Sequence, residues 1–386
     1  MKKKVLLFGP IGDFGGRDVE VNIIAKAISE HYQVSVFSSI YITQNSYALQ
    51  GLKDVEFTSF ERAIYQSNWF LRTLSKVFYL KNKKKKLPYA YLKNGVSKVL
   101  FDFEKARKKI LFNELQKVDA VIACVQPTSS YLKEAVEFCH QLNKPFFIRT
   151  TGTIRPLDTN SFAFLKKVTC FIHHSENNAE NLNQQLALPY VIIDQCAQFE
   201  AKFLALPLIE NQNIYGYLGR LSPEKGILEL IRFYQNTNNG KLLIAGDGPL
   251  KKEVLLAIKQ SKNIDYIGQM QPDELTTFFQ KINTLVIPSL EESGPLVGLE
   301  AMAAGKLILS TKVGAMEERL ANSPNNFWFN IDDQDSFLAS LAQIENLSKE
   351  DFNRIANDNR EVYLADYQFT AIKDKYIHCL KQYLNS

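Results

Sequence analysis

Short apolar segments alternate with helix-forming segments along this chain, and the same order starts twice. In the first half, an apolar run at residues 4–8 leads through a glycine-rich loop into a helical pattern at 19–29 and a second apolar run at 33–37. Further apolar runs stand at residues 119–125, 145–149, 169–173 and 190–193. Strands that are apolar along their whole length and separated by helices are typical of a parallel sheet covered on both faces.

The same pattern begins again at residue 213. It predicts strands at residues 214–218, 241–245, 264–267, 284–287 and 306–309. Residues 200–213 have no strand period and contain Pro207, so we predict the interdomain linker there. The predicted fold is α/β, with two tandem Rossmann-like, doubly wound domains that face each other across a cleft and bind ligands beyond the carboxyl ends of their strands. The predicted domains are residues 1–203 and 204–366, and residues 367–386 are predicted to form a helix that packs back on the first domain.

The composition excludes several classes of protein. Hydrophobic residues make up 46% of the 386 residues and charged residues 23%, which excludes a disordered or collagen-like chain. The five cysteines stand far apart with no C-x-x-C pair, which indicates neither a disulfide framework nor a zinc site. The apolar run at the N-terminus is too short for a signal peptide, and no run is long enough to span a membrane. We therefore expect a protein of the cytoplasm.

A cation-bearing turn follows the first strand of the second half. Residues 219–226 have the sequence Gly-Arg-Leu-Ser-Pro-Glu-Lys-Gly, with Arg220 and Lys225 five residues apart where a strand ends and a helix begins. Arg supplies a planar fork of donors, Lys a mobile point charge and the helix terminus free N–H groups, so the turn suits an anion such as phosphate. Spacing alone favours a solvated surface turn.

Two carboxylates follow the strand at residues 284–287. Glu292 falls in a Gly-Pro loop, and Glu300 lies about one turn into a helix that starts near Pro295 or Leu296. A loop carboxylate can hold sugar hydroxyls, and a helix carboxylate can accept from a ribose. Taken alone, Glu300 is also what an amphipathic helix carries on its polar face.

The motifs occur in a fixed order. The turn at residues 219–226 is followed by Ala-Gly-Asp-Gly-Pro at 245–249, Ile267-Gly268, Pro288-Ser289 with Glu-x₇-Glu, and Glu-Ala-Met-Ala-Ala-Gly at 300–305. This order resembles the family-4 retaining glycosyltransferases of the GT-B fold, within the glycosyl transferases group 1. The resemblance covers roughly residues 213–320.

The resemblance implies roles for individual residues. Arg220 and Lys225 would bind the diphosphate of a nucleotide-sugar donor, Glu292 the transferred sugar and Glu300 the ribose; of these, Arg220, Lys225 and Glu292 are the predicted catalytic residues. Main-chain groups of four consecutive residues would assist Glu292: Gly294, Pro295, Leu296 and Val297. Gly246 and Ile267 would flank the base, and the loop at Gly15 and Gly16 would face the donor phosphates or the acceptor.

No cofactor or metal ion is predicted, since the nucleotide-diphosphate sugar is a co-substrate. Arg220, Lys225 and helix N-termini can stabilise the leaving diphosphate without a metal. The sequence has no D-x-D motif, and residues 332–335, Asp-Asp-Gln-Asp, are interpreted as a turn and helix cap. The resemblance favours a uridine diphosphate sugar as donor.

The first half departs from the family pattern. Many relatives carry a histidine after the strand that here ends at Arg149, where this chain has Thr-Thr-Gly-Thr-Ile-Arg at residues 150–155. The residue that activates the acceptor is therefore unassigned; Arg149, Thr151 and Arg155 are candidates. His173 and His174 precede a probable helix cap at Ser175, which favours a structural role.

The positive charge is concentrated in one segment. Residues 68–110 contain 13 basic and two acidic residues, although the whole chain carries only +5. Within it, residues 69–93 combine an aromatic, amphipathic stretch with a run of lysines, a pattern that suits an anionic membrane surface. The alternative is a core-facing helix followed by a solvated loop. Without a recognition motif, nucleic acid is not a predicted partner.

The predicted function is transfer of a hexose-type sugar from a nucleotide-diphosphate sugar, UDP-sugar favoured, to a lipid-linked or other cell-surface glycan. The enzyme would act in the cytoplasm or peripherally on the inner face of the cytoplasmic membrane. The alternative is a GT-B sugar-nucleotide epimerase. A Rossmann dehydrogenase is disfavoured because the first loop lacks G-x-G-x-x-G and the second strand lacks an acidic end. A non-catalytic membrane adaptor is a further rival.

Overall fold

A computed structural model describes residues 2–384 of the chain, apart from residues 54, 84, 153, 155–157, 159, 209–212, 236, 238, 239, 272 and 273. The chain divides into two compact units. The first unit comprises Met1–His173, Ala179–Ile193 and Lys373–Ser386, and the second unit comprises His174–Asn178 and Asp194–Ile372.

The first unit is built on a seven-stranded parallel sheet in the order β3-β2-β1-β4-β5-β6-β7. Its strands are β1 (Lys4–Gly9), β2 (Gln33–Ser38), β3 (Glu56–Ser59), β4 (Ala120–Val125), β5 (Phe146–Thr150), β6 (Cys170–His173) and β7 (Tyr190–Ile192). The helices that alternate with them are α1 (Gly16–Ile28), α2 (Phe60–Ser67), α3 (Trp69–Lys81), α4 (Gly95–Leu100), α5 (Phe103–Gln116), α6 (Leu132–Gln141) and α7 (Glu176–Asn183), of which α7 belongs to this unit from Ala179 onward. Every residue of β4 and β5 is buried, as expected for strands covered on both faces.

The second unit has a six-stranded parallel sheet in the order β10-β9-β8-β11-β12-β13. Its strands are β8 (Ile214–Leu218), β9 (Lys241–Ala245), β10 (Ile264–Gly268), β11 (Thr284–Ile287), β12 (Leu307–Ser310) and β13 (Phe327–Trp328). Its helices are α8 (Glu200–Leu204), α9 (Ile227–Tyr234), α10 (Lys251–Ala257), α11 (Leu275–Lys281), α12 (Leu296–Ala303), α13 (Met316–Leu320), α14 (Gln334–Glu345) and α15 (Lys349–Asp366).

The segment predicted as a linker, residues 200–213, begins with helix α8 instead. Phe203 and Leu206 from this segment are buried in an apolar cluster of the second unit, whose long segment begins at Asp194 rather than at residue 204. The last helix, α16 (Phe369–Leu384), belongs to the first unit from Lys373 onward, where Tyr383 packs edge-on against Phe147.

Two local sequence interpretations can be compared with the structure. Asp333 caps α14, with its carboxylate accepting from the backbone N–H groups of Asp335 and Ser336 at 3.0 and 3.2 Å, so the predicted cap is confirmed. Within the described ranges, no helix combines the length and hydropathy that crossing a membrane requires.

Candidate functional site

The order of strands in the second sheet reverses between β8 and β11. These two strands are parallel neighbours, paired through Tyr215 and Thr284, so the loops that follow them start at the same edge of the sheet. In open α/β sheets, ligands bind beyond the carboxyl ends of the strands at such a reversal point. The loop after β8 carries Arg220 and Lys225, and the loop after β11 carries Glu292.

The two loops are fixed to each other by their backbones. The backbone N–H groups of Leu290 and Glu291 donate to the carbonyl of Glu224 at 2.9 and 3.3 Å. Gly226 ends the short 3₁₀ turn Pro223–Lys225 with φ +64°, and a Cβ at this position would overlap the carbonyl oxygen of Pro288. Only glycine allows this close approach of the two loops.

Lys225 and Glu292 form an ion pair between Nζ and Oε1. Their side chains are 23% and 18% exposed, so the pair is reachable from solvent but largely shielded from it. The hydroxyl of Ser289 lies 3.4 Å from the same carboxylate oxygen. The two residues with predicted roles toward diphosphate and sugar are therefore direct neighbours, which the sequence did not indicate.

Arg220 is exposed at the start of the same loop. Its backbone carbonyl accepts a hydrogen bond from the buried Tyr217 hydroxyl at 2.8 Å, which anchors the start of the loop to β8. Among the described residues, its guanidinium has no hydrogen-bond or ion-pair partner. Hydrogen bonding from Ser222 lowers the pKa of the nearby Glu224, and the charges of Arg220 and Lys225 lower it further, so the turn is electrostatically positive apart from one ionised carboxylate.

Glu300 lies in the middle of α12 and is buried, with only 4% of its surface exposed. Burial raises the pKa of this carboxyl from 4.5 to about 7. No described residue forms an ion pair or a side-chain hydrogen bond with it. The interpretation of Glu300 as a solvated polar residue of an amphipathic helix is therefore wrong.

The loop before α12 is held by a buried arginine. The Arg319 guanidinium donates to the carbonyl of Pro295 at 2.6 Å and binds the Asp194 carboxylate through two bonds of 2.7 and 2.8 Å. Nδ1 of His174 lies 3.5 Å from the same carboxylate. Burial alone would raise the pKa of Asp194, but the charge and hydrogen bonds of Arg319 hold it well below its usual range. This cluster fixes the backbone of residues 294–295.

The residues predicted to flank the base lie beyond β9 and β10. Gly246 donates through its backbone N–H to the carbonyl of Gly268 at 2.8 Å, and Leu221 donates to the carbonyl of Asp247 at 3.0 Å. A Cβ on Gly246 would overlap the carbonyl oxygen of Gly219. Ile267 is partly exposed beside them. Arg220, Lys225, Gly246, Ile267 and Glu292 therefore lie in loops or strand ends at the carboxyl edge of β10, β9, β8 and β11.

In the first unit, the glycine loop opens α1. Gly15 precedes the helix and Gly16 is its first residue. Apart from its chain neighbours and the backbone of α1, no described atom lies within 4 Å of a Cβ built on Gly16, so there is open space beside this residue. Arg17 donates to the Thr151 hydroxyl at 3.2 Å, which places that acceptor-side candidate beside the loop.

Arg149 is not available to a ligand. Its guanidinium is fully buried, forms an ion pair with Glu20 and donates to the carbonyl of Ile193. The candidate role of Arg149 toward the acceptor is therefore wrong, because the side chain joins elements of the first unit. The ring of His173 is also buried, with Nδ1 2.9 Å from the Thr150 hydroxyl. Arg155 lies outside the described residues.

No cluster of three or more histidine, cysteine, aspartate or glutamate side chains suited to a metal ion occurs in the described part of the chain.

Residues 198–362 match the sequence profile of the family described as Glycosyl transferases group 1. This segment is therefore similar to the group 1 glycosyl transferases. Among its relatives, lipopolysaccharide 1,2-N-acetylglucosaminetransferase of Salmonella typhimurium is 33% identical over 128 residues, which cover 29% of this chain and 34% of that protein. Capsular polysaccharide biosynthesis glycosyltransferase CapM of Staphylococcus aureus is 26% identical over 148 residues, 36% of this chain and 38% of that protein. The matches therefore span between a third and two fifths of these curated relatives.

Solved structures resemble the whole chain. Anabaena Alr3699/HepE in complex with UDP-glucose has a TM-score of 0.72 and 14% identity, covering 98% of this chain and 100% of that one. A variant of S. aureus TarM, in complex with fondaparinux, alpha-GlcNAc-glycerol and UDP, has a TM-score of 0.68 and 13% identity over the full length of both chains. At this identity the likeness shows the fold.

The comparisons confirm two predictions from the sequence. The resemblance to glycosyl transferases group 1 is confirmed, and so is the α/β fold class with two parallel sheets. The matched segment, residues 198–362, contains Arg220, Lys225, Glu292 and Glu300, whose individual roles stay predictions.

Neither Arg319 nor Asp194 is a predicted site residue. Their positions are separated by 125 residues, and neither belongs to one of the recognised motifs. An arginine on a short helix resembles a surface residue unless its contacts with the Asp194 carboxylate and the Pro295 carbonyl are known.

Proposed function

We propose that this chain is a retaining glycosyltransferase of family 4 that moves a hexose-type sugar from a nucleotide-diphosphate sugar to a lipid-linked or other cell-surface glycan. The observation that carries the proposal is the meeting of Arg220, Lys225 and Glu292 at the reversal point of the second sheet. A free guanidinium and a paired ammonium suit a diphosphate, and a carboxylate beside them suits sugar hydroxyls.

In the proposed reaction, the bond between the sugar's anomeric carbon and the diphosphate oxygen breaks, and the acceptor oxygen bonds to that carbon on the same face. The acceptor proton passes to the leaving diphosphate oxygen. Arg220 and Lys225 stabilise the charge that develops on this oxygen, so the reaction is proposed to need no metal ion. Glu292 orients the sugar, Glu300 accepts from the ribose, and Gly246 and Ile267 flank the base.

The names of similar proteins support the choice of substrates. HepE was solved with UDP-glucose, and the TarM variant with UDP, which favours a UDP-sugar as donor. The Salmonella and Staphylococcus relatives are named for lipopolysaccharide and capsular polysaccharide, which favours a cell-surface glycan as acceptor.

A screen of nucleotide sugars tests the donor. A ligand that binds only the folded chain must raise its melting temperature, and we expect UDP-sugars to do so more than other nucleotide sugars. Incubation of the best donor without any acceptor then separates the rivals. An isomerised nucleotide sugar would indicate the epimerase, whereas transfer that needs an added glycan acceptor supports the proposed reaction.

Arg220→Ala should weaken the binding of UDP about tenfold or more, since a charge-assisted hydrogen bond contributes about 1.5–3 kcal/mol. Isothermal titration calorimetry measures this directly. Arg354→Ala is the matched control, because Arg354 is an exposed arginine on α15 whose ion pairs, with Asp351 and Asp358, lie within the same helix. Equal UDP affinity in the two variants would remove Arg220 from the donor site.

We further propose that residues 69–93 hold the enzyme on an anionic membrane surface from the cytoplasmic side. In α3, Leu71 and Ser75 are buried, whereas Trp69, Val77 and Leu80 are exposed. A core-facing helix accounts for the first two residues only. The exposed apolar face leads directly into Lys83, Lys85 and Lys86, which are also exposed. Lys84 of the same run lies outside the described residues.

Neutralising Lys83, Lys85 and Lys86 to glutamine should weaken binding to vesicles that contain phosphatidylserine by about a hundredfold, at about 1 kcal/mol for each lysine near the surface. Sedimentation with vesicles measures it. The control replaces Lys252, Lys259 and Lys262, three exposed lysines of the second unit, with glutamine. Binding that survives the first substitution, or falls equally with the second, contradicts a specific membrane surface.

A further inference from the structure

A cavity opens in the second unit at the carboxyl edge of its sheet, beyond β11, β12 and β13. It has a volume of about 500 Å³, within the range of about 300–1,000 Å³ typical of small-molecule sites. None of the residues assigned to the nucleotide sugar lines it. The cavity is therefore a separate space within the second unit.

The lining combines an aromatic side chain with uncharged polar groups and one cation. Trp328, at the end of the edge strand β13, is half-buried and lies among apolar neighbours. The polar lining comes from Ser289, Thr311, Lys312, Asn330 and Ser336. Among the described residues, no carboxylate lines the cavity, which makes it unsuited to a cation.

This chemistry fits a saccharide. A sugar ring presents apolar C–H groups on its faces and hydroxyls around its edge, and an indole presents a flat apolar face with one N–H donor. Hydroxyl, amide and ammonium groups can then bind the sugar hydroxyls. Lys312 is free to take part, because its ion pair with Glu317 at 2.8 Å joins two side chains that are each more than half exposed, and such pairs are weak.

The lining is held in place. The Trp328 carbonyl accepts from the Ser340 hydroxyl, and the backbone N–H of Asn330 donates to the Ser336 hydroxyl at 3.0 Å. The cavity also adjoins the loop that carries Glu292. The Ser289 carbonyl accepts a hydrogen bond from the Thr311 hydroxyl at 2.7 Å, and the Ser289 hydroxyl lies 3.4 Å from the Glu292 carboxylate. An occupant would therefore touch the loop that is proposed to orient the donor sugar.

We propose that this cavity is a saccharide site that binds a sugar unit of the glycan being extended, separately from the donor. The identity of the occupant as acceptor or product glycan rests on the proposed function. The existence of a saccharide site beside Trp328 rests on the cavity itself.

The chain contains two tryptophans, Trp69 in the first unit and Trp328 in the second, so single-tryptophan proteins give a local readout. In Trp69→Phe, titration with N-acetylglucosamine, glucose and their disaccharides should change the fluorescence of Trp328 saturably. In Trp328→Phe, the exposed Trp69 should not respond to the same sugars. A response of Trp69 alone, or of neither tryptophan, overturns the proposal.

Two further measurements test whether Lys312 contributes to the cavity site and whether that site is distinct from the donor site. In the Trp69→Phe background, Lys312→Met should weaken saccharide binding about tenfold without changing the affinity for UDP, whereas Lys252→Met, at an exposed lysine of α10, should change neither. Saturating UDP should leave the saccharide response in place. If UDP abolishes it, the cavity is part of the donor site and the proposal is wrong.

The outcomes separate this proposal from the proposed function. UDP binding by calorimetry with no saccharide response at Trp328 would refute the cavity site and leave the donor site standing. A saccharide response in a protein that binds no nucleotide sugar would support the cavity site and refute glycosyl transfer.

Discussion

Replacing Glu300 with glutamine should change how the stability of the second unit depends on pH. The folded chain holds a proton on Glu300 up to about pH 7, whereas the unfolded chain releases it near 4.5. Between these values the folded state binds more protons, so the wild-type free energy of unfolding falls as the pH rises. The shift corresponds to about 3 kcal/mol. Relative to the wild type, Glu300→Gln should gain that amount between pH 4 and pH 8.

The comparison is best made by urea unfolding in the Trp69→Phe background, where Trp328 reports on the second unit. Taking the difference between variant and wild type at each pH cancels the contribution of every other titrating group, and the cost of burying an amide adds only an offset that does not vary with pH. Glu253→Gln, at an exposed glutamate of α10, should give a difference that does not vary with pH. A flat difference for Glu300→Gln as well would show that the buried carboxyl titrates normally.

The same titration links Glu300 to the proposed function. Above pH 7 the carboxyl is ionised, buried and without a described side-chain partner, so a ribose hydroxyl that donates to it would relieve an unfavourable arrangement. UDP affinity should therefore rise as the pH passes 7 in the wild type and stay constant in Glu300→Gln. The destabilising carboxylate would then be retained for binding rather than for folding.

Arg319→Ala should destabilise the second unit by about 3–5 kcal/mol, because it leaves the Asp194 carboxylate buried without its main partner. Urea unfolding followed through Trp328 measures this loss. Arg354→Ala removes an exposed arginine on α15 and should cost no more than about 0.5 kcal/mol. A loss below about 1 kcal/mol for Arg319→Ala would contradict the assigned pairing.

A double variant distinguishes the effect of Arg319 on stability from its effect on the position of the loop at residues 294–295. Arg319→Met with Asp194→Leu replaces both charges by apolar groups and should recover most of the lost stability. It does not restore the hydrogen bond to the Pro295 carbonyl. If Arg319 positions the loop at residues 294–295, UDP-sugar affinity should stay reduced in the double variant; full recovery of affinity would leave Arg319 a structural role only.

The sequence predicted the parts of the fold that depend on local pattern. Apolar strands such as β4, β5, β11 and β12 are buried along their whole length, so composition alone reveals them. Strand β13, with only Phe327 and Trp328, is too short to show a period. Helix α8 was missed because Pro207 and the absence of a strand period suggested a linker, although Phe203 is a core residue.

Sequence motifs that follow strand ends predict individual residues of the candidate site. They do not predict the contacts between those residues, which depend on long-range packing. Lys225 and Glu292 each lie in a recognisable loop, but their direct ion pair depends on β8 and β11 being neighbours, which only the strand order reveals. For Arg149, the sequence pattern suggests a ligand contact that the packing excludes. A charged residue near the end of a strand suggests a ligand contact, yet Glu20 on α1 neutralises it inside the first unit.

If Gly246 and Ile267 flank the base as proposed, the tight packing of the loops around Gly226 and Gly246 limits which positions can be changed to accept another nucleobase. Any side chain larger than hydrogen at these two positions collides with the backbone of a neighbouring loop, so libraries that vary them would mostly yield misfolded protein. Ile267 is partly exposed beside Gly246 and carries no such restriction. Variation intended to alter base preference should therefore start at Ile267.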